Sequence, residues 1–485
     1  MPTNHTTTSC QIILGIDIGT SGVRACVVER CQNEDINSSD IQTPIDKIIG
    51  SEAVSLEPPK VNSETGASTQ NPNLWIKAIE QLFAKLSIQF ELKRITHMVL
   101  DATSSTVLLT DPDGTALTDA LMYNDQQAKR QAEQISATPN LDIDSAATGV
   151  SSTLSKVLYL IEQLQQKNEL RQTPVICHQI DYINHYLCGG LNITDENNAL
   201  KLGYDSRLQQ WPEWCQSLLR NAMKGFKASG LSLLPKVVSP GCLIGSISTD
   251  LVKQYGLSPS LSIHAGTTDS IAGFLASGAN QSGDAVSSLG STLAVKLISD
   301  QPIFSAKYGI YSHKLHNQWL VGGASNAGGA VLLKHYQLDE LKQLLSAIQS
   351  DSGYNTLVAE ENRYYPLSTP GERFPIADAN LSPQIPEKPS VPVIDPETGI
   401  ISSLHQQHLI VLLQGLTRIE KMAYDKLTEM GAQKVKQLYC VGGGVQNEVW
   451  MKLRKSQFNP ETQLQSALSL DAAYGVTKLI DSNLI

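Results

Sequence analysis

The chain has 485 residues, of which 41% are hydrophobic and 17% are charged. These proportions are typical of a globular protein and exclude an intrinsically disordered one, and the length predicts about two to four domains. The net charge is −10 and there is no long basic run, which argues against a nucleic-acid or anionic-membrane surface. No stretch approaches the roughly 18 apolar residues of a membrane helix, and the N-terminus lacks a basic region, so we expect neither a membrane span nor a signal peptide.

Eight cysteines are scattered along the chain without a C-x-x-C pair, which argues against a zinc ribbon or a thioredoxin-like site. We therefore expect reduced thiols in a cytoplasmic protein. His405 and His408 stand three residues apart, but no obvious third ligand accompanies them. This pattern favours a surface helix over a metal site.

The first predicted elements form a hairpin. Residues 11–18 and 22–29 are apolar, strand-like runs joined by a short turn that contains glycine. Residues 30–72 are polar and predict irregular structure. A helix follows at residues 73–90, where apolar side chains recur at helical spacing.

The middle of the chain predicts a second copy of this arrangement. A strand at 95–111 is interrupted at 101–105, and residues 120–235 are mostly helical in pattern. Residues 261–278 then predict strand, glycine-rich turn and helix, and residues 284–299 predict another hairpin. Because this hairpin also carries glycine and small hydroxyl residues at its tip, we infer a weak internal duplication.

The last part of the chain begins with a Pro-rich surface loop at 355–397. A long amphipathic helix is predicted at about 401–430. A strand and a helix then flank three glycines at 442–444, and a helix of small residues at 469–480 ends the predicted elements.

The tip of the first hairpin has two alternative interpretations. Gly19 allows the backbone to approach a ligand closely, and the N–H groups of such a turn can converge on an anion. Thr20 and Ser21 add hydroxyl donors, and Asp17 can hold Mg²⁺ through water. Taken alone, the pattern favours an ordinary hairpin whose aspartate satisfies the turn.

The segment from Gly266 to Ser270 places an acidic residue, Asp269, directly before a predicted helix. Asp269 can act as a helix N-cap that satisfies free N–H groups. It can equally act as a general base that accepts a proton from an attacking hydroxyl. The segment alone does not distinguish the N-cap role from the general-base role.

The three glycines at 442–444 leave room for a flat nucleotide beside the backbone, and Asn447 can offer its amide to the base or ribose. The alternative is a tight connection between strand and helix, although consecutive glycines carry an entropic cost that a plain connection does not require. No G-x-G-x-x-G fingerprint is present, which argues against a dinucleotide-binding enzyme.

Taken together and in this order, the motifs resemble those of the FGGY carbohydrate kinases. The resemblance looks closest to the cyanobacterial and plant branch associated with D-ribulose, and it spans nearly the whole chain. The stretches that carry it are residues 15–25, 101–128, 198–205, 265–279, 285–297, 322–330, 364–378 and 440–450.

This resemblance implies an α/β fold of two actin/hexokinase-like (ribonuclease H-like) domains, with ATP and sugar in the cleft between them. The expected domains are residues 11–258 and 259–485. The expected cofactors are ATP and Mg²⁺. The expected partner is a small sugar, without nucleic acid or membrane, in a cytoplasmic monomer or homodimer.

The resemblance also implies roles for individual residues, with Asp269 as catalytic base and Asp17 as the catalytic, Mg²⁺-binding aspartate. The expected ATP and phosphate contacts are Gly19, Thr20, Ser21, Gly266, Thr267, Gly290, Ser291, Thr292, Gly442, Gly443, Gly444 and Asn447. The expected sugar contacts are Asp17, Ser104, Asn124, Asp125 and Asp269, with Thr103 beside them. The loop at Asp125 departs from the common Asp-x-Arg pattern because Gln127 replaces the arginine, which bears on the identity of the sugar.

The resemblance therefore implies ATP-dependent phosphorylation of D-ribulose at its terminal O5. The alternative within this class is a kinase for D-xylulose or another polyol. The alternative from another class is an actin-like or chaperone-like ATPase.

Overall fold

The structure is a computed structural model that describes residues 10–31, 45–167, 172–224, 232–350, 364–458 and 460–480. Its described residues pack as two compact units. The first unit combines Met1–Ala276 with Ser469–Ile485, and the second is Ser277–Leu468. The first unit thus extends to Ala276, beyond the expected boundary after residue 258, and it includes the last segment of the chain.

The strands of the first unit are β1 (Cys10–Ile18), β2 (Gly22–Cys31), β3 (Ile45–Ser55), β4 (Lys60–Asn62), β5 (Ala67–Gln70), β6 (His97–Ala102), β7 (Val107–Thr110), β8 (Ala120–Leu121), β9 (Val175–His178), β10 (Ile193–Asp195), β11 (Lys236–Val238), β12 (Leu243–Ser246) and β13 (Ser262–Thr268). Those of the second unit are β14 (Asp284–Leu289), β15 (Leu293–Ser299), β16 (His313–Leu315), β17 (Gln318–Ser325), β18 (Gln437–Val441) and β19 (Gln463–Ser466).

The helices, in chain order, are α1 (Asn73–Gln89), α2 (Lys129–Ser136), α3 (Thr153–Gln166), α4 (Gln179–Cys188), α5 (Glu196–Ala199), α6 (Glu213–Ala222), α7 (Thr249–Tyr255), α8 (Asp269–Ala276), α9 (Ala330–His335), α10 (Leu338–Ser350), α11 (Ser403–Glu429), α12 (Glu448–Gln457) and α13 (Ala472–Val476). In the part of the chain that the structure describes, none of them is long and apolar enough to cross a membrane.

The main sheet of the first unit has the order β12-β13-β6-β1-β2-β3. β1, β6 and β13 run parallel, and β1 to β3 form an antiparallel meander. β1 and β6 lie at the centre and are buried along most of their length, which explains their nearly continuous apolar sequence. α1 packs on β2 and β3 through one apolar stripe that includes Trp75, Ile79 and Leu82.

The second unit repeats this topology. Its sheet has the order β16-β17-β15-β14-β18-β19, in which β14, β15 and β17 form the antiparallel meander and β18 and β19 continue in parallel. The sequence β3-β2-β1-β6-β13 in the first unit corresponds to β17-β15-β14-β18-β19 in the second. The predicted duplication is confirmed, and the two predicted hairpins are the equivalent β1–β2 and β14–β15 connections.

α13 packs against β1, β2, β6 and α8, which ties the end of the chain to the first unit. The approach is close enough to require glycine on both sides. A Cβ at Gly15 would lie 1.9 Å from the carbonyl oxygen of Ala473, and one at Gly475 would lie 1.9 Å from that of Ala272. With larger residues at these two positions, α13 could not pack this closely against β1 and α8.

Arg30 anchors the residues that follow α13. Its Nη1 donates to the backbone oxygens of Ile480 (2.6 Å) and Thr477 (3.3 Å), while its guanidinium binds the Asp46 carboxylate through Nε and Nη2. Lys478 Nζ lies 2.7 Å from the same carboxylate. Two basic groups therefore share one buried anion, and the pKa of Asp46 falls below its ordinary value because their hydrogen bonds and charges outweigh its burial.

The stretch predicted as irregular, residues 30–72, contains the strands β3, β4 and β5 in its described part. β3 pairs with β2 at the edge of the main sheet. Its side chains are mostly exposed, so its sequence lacks the apolar run that marks a buried strand. Residues 32–44 lie outside the described residues, as do residues 355–363 of the predicted Pro-rich loop.

The hairpin register brings Cys10 opposite Cys31, and the two form a disulfide with a Cα–Cα distance of 4.2 Å. The expectation of reduced thiols is therefore wrong for this pair, because sequence separation concealed a direct cross-strand neighbour. The other cysteines are free.

His405 and His408 lie on the buried side of α11, with 1% and 5% exposure. Their Nδ1 atoms lie 3.2 and 2.7 Å from the hydroxyl of Tyr336, and their Nε2 atoms face the backbone oxygens of Val391 and Pro386. The prediction of a surface helix at this pair is wrong, since both rings are used by hydrogen bonds in the core.

Candidate active site

Three neighbouring parallel strands of the first unit have an aspartate at or next to their carboxyl ends. The register aligns Asp17 on β1 with Asp101 on β6, and Asp101 with Thr267 on β13, whose last residue precedes Asp269. Because the carboxyl ends of parallel strands meet at one edge of a sheet, these carboxyl groups lie close together. This edge is the candidate active site.

Asp17 forms an ion pair within the hairpin. The Arg24 guanidinium, opposite it on β2, lies 2.8 Å from its Oδ2, and the side chain of Asp17 is only 5% exposed. Burial raises the pKa of Asp17 above its ordinary value, and the hydrogen bond from Asp101 and the charge of Arg24 offset only part of that effect. The sequence analysis did not identify Arg24 as a neighbour.

Asp101 was not predicted as a site residue. It is completely buried, and no N–H or hydroxyl group of the described residues donates to either of its oxygens. Burial, followed by the charges of Asp17 and Asp269, raises its pKa well above the ordinary value. The signal in the sequence was an aspartate inside an apolar strand, in the stretch M-V-L-D-A, where a charged residue requires a special reason.

Asp269 begins α8 immediately after β13, and it is partly exposed, unlike the other two carboxyl groups. Its Oδ1 accepts a hydrogen bond from the backbone N–H of Ser270, 2.6 Å away. This local bond holds the carboxylate at the rim of the strand edge. A partly exposed carboxylate in this position can accept a proton from a substrate hydroxyl.

Gly266 and Thr267, expected as phosphate contacts, are both buried. A Cβ at Gly266 would lie 1.6 Å from the backbone oxygen of Leu100, so this glycine permits the close pairing of β13 with β6. The hydroxyl of Thr267 accepts a hydrogen bond from Asn197 Nδ2. The structure therefore gives both residues roles in packing.

The tip of the first hairpin is accessible. Gly19 and Thr20 are half-buried and Ser21 is exposed, while the N–H of Gly19 donates to the oxygen of Gly22 across the turn. The turn lies directly after Asp17. The expected phosphate contacts of this hairpin thus lie beside the acidic strand ends.

The expected sugar-side residues have different environments. Ser104 is half-buried and Asn124 is exposed. Asp125 is fully buried, and its oxygens accept hydrogen bonds from the backbone N–H groups of Ser68 and Gln127 and from Gln127 Nε2. Asp125 therefore shapes the loop that carries Asn124, whereas Ser104 and Asn124 remain accessible.

Lys156 joins the two sugar-side loops. It is completely buried, and its Nζ donates to the backbone oxygens of Ser105 (2.7 Å) and Met122 (2.8 Å). Burial lowers its pKa to about 7, although the charge of Asp125 acts in the opposite direction. A neutral amine has two N–H donors, which matches the two carbonyl groups it binds. The sequence placed Lys156 in a helix without indicating this link.

The second hairpin, in the second unit, also has an accessible tip: Gly290 is half-buried, and Ser291 and Thr292 are exposed. A neighbouring turn supports it, because the N–H groups of Gly329 and Ala330 donate to the oxygens of Gly290 and Ser291. The hairpin backbone is thereby fixed while its tip remains open.

The side chain of Glu372 fixes the position of this neighbouring turn through hydrogen bonds. Its Oε2 accepts hydrogen bonds from the hydroxyls of Ser325 (2.6 Å) and Tyr365 (2.8 Å), and its Oε1 accepts one from the N–H of Asn326 (2.8 Å). The carboxylate is 2% exposed. The stretch P-G-E-R-F-P, used above only for the family resemblance, thus has a structural role next to the second hairpin.

The predicted nucleotide loop also lies in the second unit. Gly442 has φ +92°, and a Cβ there would lie 2.9 Å from the backbone of Leu289, whereas a Cβ at Gly443 would meet nothing within 4 Å. Gly442 is therefore required by the local backbone conformation, whereas Gly443 leaves open space beside the loop. Asn447 caps α12 through its Oδ1, which accepts from Trp450 N–H at 3.0 Å, so its amide nitrogen is the group left to face a ligand.

The residues present are compatible with a magnesium ion that arrives with nucleotide. Among the described residues, no group of three or more His, Cys, Asp or Glu could hold a metal by itself. Mg²⁺ commonly uses one or two carboxylates together with waters and substrate phosphates. Asp17, beside the first hairpin, supplies such a carboxylate.

The fold is that of two-domain sugar kinases. The solved structure of ligand-bound xylulose kinase from Lactobacillus acidophilus matches with a TM-score of 0.71 over 97% of this chain and 89% of that one, at 19% identity. The expected mixed α/β fold class is confirmed. In sequence, the model of the FGGY family of carbohydrate kinases, N-terminal domain, matches residues 12–276, more than half of the chain. The chain belongs to the FGGY family of carbohydrate kinases.

Two curated relatives align over most of the length. The xylulose kinase of Lactococcus lactis subsp. lactis (strain IL1403) is 23% identical over 464 residues, 93% of this chain and 83% of that protein. The gluconokinase of Bacillus subtilis (strain 168) is 23% identical over 469 residues, with the same coverage of each chain. The family expectation is confirmed. The resemblance to a D-ribulose branch is not supported by these names and stays a prediction.

Proposed function

We propose that the protein phosphorylates the terminal hydroxyl of a pentulose with ATP, and that D-xylulose is the first acceptor to consider. The observation that carries this proposal is the partly exposed Asp269 at a strand edge shared with Asp17 and Asp101. D-xylulose comes first because the relatives named xylulose kinase align with nearly the whole chain. D-ribulose remains the second candidate, favoured by the resemblance of residues 265–279 and 370–378.

In this proposal Asp269 accepts the proton of the attacking hydroxyl, and Ser104 and Asn124 contact the sugar. Asp17 orients Mg²⁺, which when bound neutralises charge on the nucleotide phosphates. The N–H groups of the first hairpin, next to Asp17, stabilise the charge that develops on the transferred phosphoryl group. The adenosine lies against residues 442–444.

The test is a panel of sugars assayed by coupled detection of ADP, with D-xylulose, D-ribulose, D-gluconate and glycerol compared by kcat/KM. We expect one pentulose to exceed the non-pentulose acceptors by at least about tenfold. A hydroxyl that the site is built to bind is worth about that much or more. A polyol or aldonate that outperforms both pentuloses would contradict the substrate class.

A different result would favour another class of protein. ATP hydrolysis that no sugar alters, with no phosphorylated product, would indicate an actin-like or chaperone-like ATPase and overturn the kinase proposal. Mass spectrometry of the sugar product distinguishes phosphoryl transfer to sugar from hydrolysis by water.

A further inference from the structure

The glycine loop, residues 442–444, packs against the residue that directly precedes the tip of the second hairpin. That residue, Leu289, ends β14 and is buried, and β14 runs parallel to β18, the strand that leads into the glycine loop. A Cβ at Gly442 would lie 2.9 Å from the backbone oxygen of Leu289, and one at Gly444 would lie 2.8 Å from its Cβ. The loop and the hairpin are therefore built on the same strand end.

The indole ring of Trp450 supports the loop from a second side. A Cβ at Gly444 would lie 2.8 Å from Cζ3 of this ring, the same distance as from the Cβ of Leu289. Non-bonded carbon atoms prefer about 3.5–4.0 Å, so a larger residue would displace the ring or the strand end. Gly442 and Gly443 are exposed, and a Cβ at Gly443 would meet nothing within 4 Å. The loop thus has one face fixed by buried side chains and one face open to a ligand.

Hydrogen bonds hold Trp450 in this position. Its backbone N–H donates to Asn447 Oδ1 at 3.0 Å, and its indole Nε1–H donates to Thr417 Oγ1 on α11 at 3.1 Å. Thr417 is completely buried, and its own hydroxyl donates to the backbone oxygen of Leu413. The ring therefore cannot move away from Gly444 without breaking a buried hydrogen bond, which is costly.

We propose that Trp450 is a positioning residue, which sets the spacing between the glycine loop and the second hairpin so that one nucleotide binds both. This role rests on the function proposed above, in which adenosine lies against the glycine loop. The tip of the hairpin, from Gly290 to Thr292, is the expected contact for a phosphate of the same nucleotide. Because adenosine and phosphate are joined covalently, the two elements reinforce each other only when their spacing matches the nucleotide.

The two halves of ADP are the probes that isolate this role. Adenosine requires only the glycine loop, pyrophosphate requires only the hairpin, and ADP requires both at the correct distance. The product of the dissociation constants of the two halves, divided by that of ADP, measures the reinforcement as an effective concentration. A change in spacing lowers this quantity, whereas a general loss of structure weakens all three ligands.

The test compares Gly444→Ala and Trp450→Phe with the wild type, at one Mg²⁺ concentration. Gly444→Ala adds the Cβ that the ring and Leu289 exclude, and Trp450→Phe removes the Cζ3 end of the ring. Calorimetry gives the dissociation constant of ADP, and displacement of ADP gives those of the two halves. We expect each variant to weaken ADP by about tenfold or more, while adenosine and pyrophosphate change by less than about threefold.

The double variant Gly444→Ala/Trp450→Phe separates spacing from independent damage. The shorter ring leaves room for the added Cβ, so the double variant should bind ADP more tightly than Gly444→Ala alone. Two unrelated defects would instead multiply. An ADP affinity in the double variant that falls by the product of the two single losses would overturn the positioning role.

The matched control is Trp319→Phe. Trp319 is another buried tryptophan of the second unit, and it lies opposite Ser299, at the end of β15 that is far from the hairpin tip. This variant should retain all three dissociation constants of the wild type. Thermal unfolding shows which variants fold, and if Gly444→Ala does not, Trp450→Phe alone decides the question.

The contradicting outcomes are distinct. Equal losses for ADP, adenosine and pyrophosphate in a folded Trp450→Phe, with an active wild-type kinase, would overturn the role of Trp450 alone. A wild type that binds neither ADP nor ATP by calorimetry would overturn the proposed function and this role together.

Discussion

At the scale of single residues, three aspartates at the strand edge lie in three different environments. Asp17 is paired with Arg24, Asp101 is buried without a donor, and Asp269 is partly exposed at the start of a helix. Environment sets what each carboxyl group can do, and groups whose proton affinities are moved apart can take different parts in one reaction. Asp269 is the one with access to a substrate proton.

Replacement of Asp269 by asparagine should therefore lower kcat for sugar phosphorylation by about 10²–10⁴-fold, the usual contribution of a general base. ATP affinity, measured by calorimetry, should change little because the carboxylate acts on the sugar. Ser270→Ala serves as the control and should remain active, since it keeps the backbone N–H that binds Asp269. Near wild-type turnover in Asp269→Asn would remove this residue from the mechanism.

Lys156 should give the protein a characteristic dependence of stability on pH. Its pKa is about 7 in the native state against an ordinary value of 10.5, so between these values the unfolded chain binds more protons than the native one. The contribution of Lys156 to the free energy of unfolding therefore rises with pH between these two values, and it is lost as the pH falls toward 7. The groups that face it are Asp125, which favours its charge, and Lys201, which opposes it.

The measurement is urea unfolding of wild type and Lys156→Met at several pH values between 7 and 10.5. The variant leaves two carbonyl groups without donors and should be less stable by about 1–3 kcal/mol, a difference that widens as pH rises. Lys129→Met, an exposed change on α2, should show no widening. A difference that narrows with pH would contradict a depressed lysine pKa.

At the scale of elements, the second hairpin depends on a series of supports. Glu372 binds Ser325 and Asn326, and the turn that follows them holds the carbonyl groups of Gly290 and Ser291. None of these supporting groups is at the hairpin tip. The geometry of the tip is therefore set by residues about 40 to 80 positions further along the chain.

Glu372→Gln should disturb this hairpin selectively. The amide oxygen can still accept from the N–H of Asn326, but the NH₂ group removes the acceptor of the Ser325 and Tyr365 hydroxyls, which must then turn their protons elsewhere. We therefore expect a loss of about 1–3 kcal/mol in stability and a severalfold higher KM for ATP. The KM for sugar, whose expected contacts lie in the first unit, should change little. Tyr365→Phe removes one of the donors and should have a smaller effect on both. An unchanged KM for ATP in Glu372→Gln would separate this carboxylate from nucleotide binding.

The sequence predicted elements well where burial imposes a pattern. β1, β2, α1 and α11 follow apolar periodicity, and their bounds agree with the prediction within a few residues. β3 escaped prediction because an exposed edge strand has no such pattern. Asp125 was expected to bind sugar, but its hydrogen bonds within the loop depend on Ser68, a distant residue whose proximity no local pattern reveals. The hydrogen bond between Thr103 and Gln179, which are 76 positions apart, was hidden for the same reason.

At the scale of the whole molecule, the duplicated sheets do not divide the chain into two continuous halves. The segment of residues 261–278 resembles the start of a new domain in sequence, yet β13 pairs with β6 and α8 packs on α13. The first unit is therefore assembled from both ends of the chain.

A variant that ends at Leu468 should lose stability in the first unit alone. Without α13, the surfaces of β1 and α8 beneath it are exposed, so hydrogen exchange should accelerate in β1, β2 and α8, while amides of β14 and β18 keep their protection. Lys478→Met removes an ion pair with Asp46 and a cation–π contact with Tyr474 but keeps α13, so it should behave almost as the wild type. Uniform loss of protection across both units would show instead that they unfold as one.

The position of α13 also bears on how the protein is made. The ribosome synthesises β1 and β2 before the second unit, but the helix that covers them begins at Ala472, after the second unit. Domains emerging from the ribosome usually fold in the order of synthesis. Here the unit that starts first can be completed only last, after the second unit has had time to form. A messenger truncated before the codon for Ala472 would thus yield a chain with an intact second unit and an unfinished first one, a natural target for chaperones and proteases.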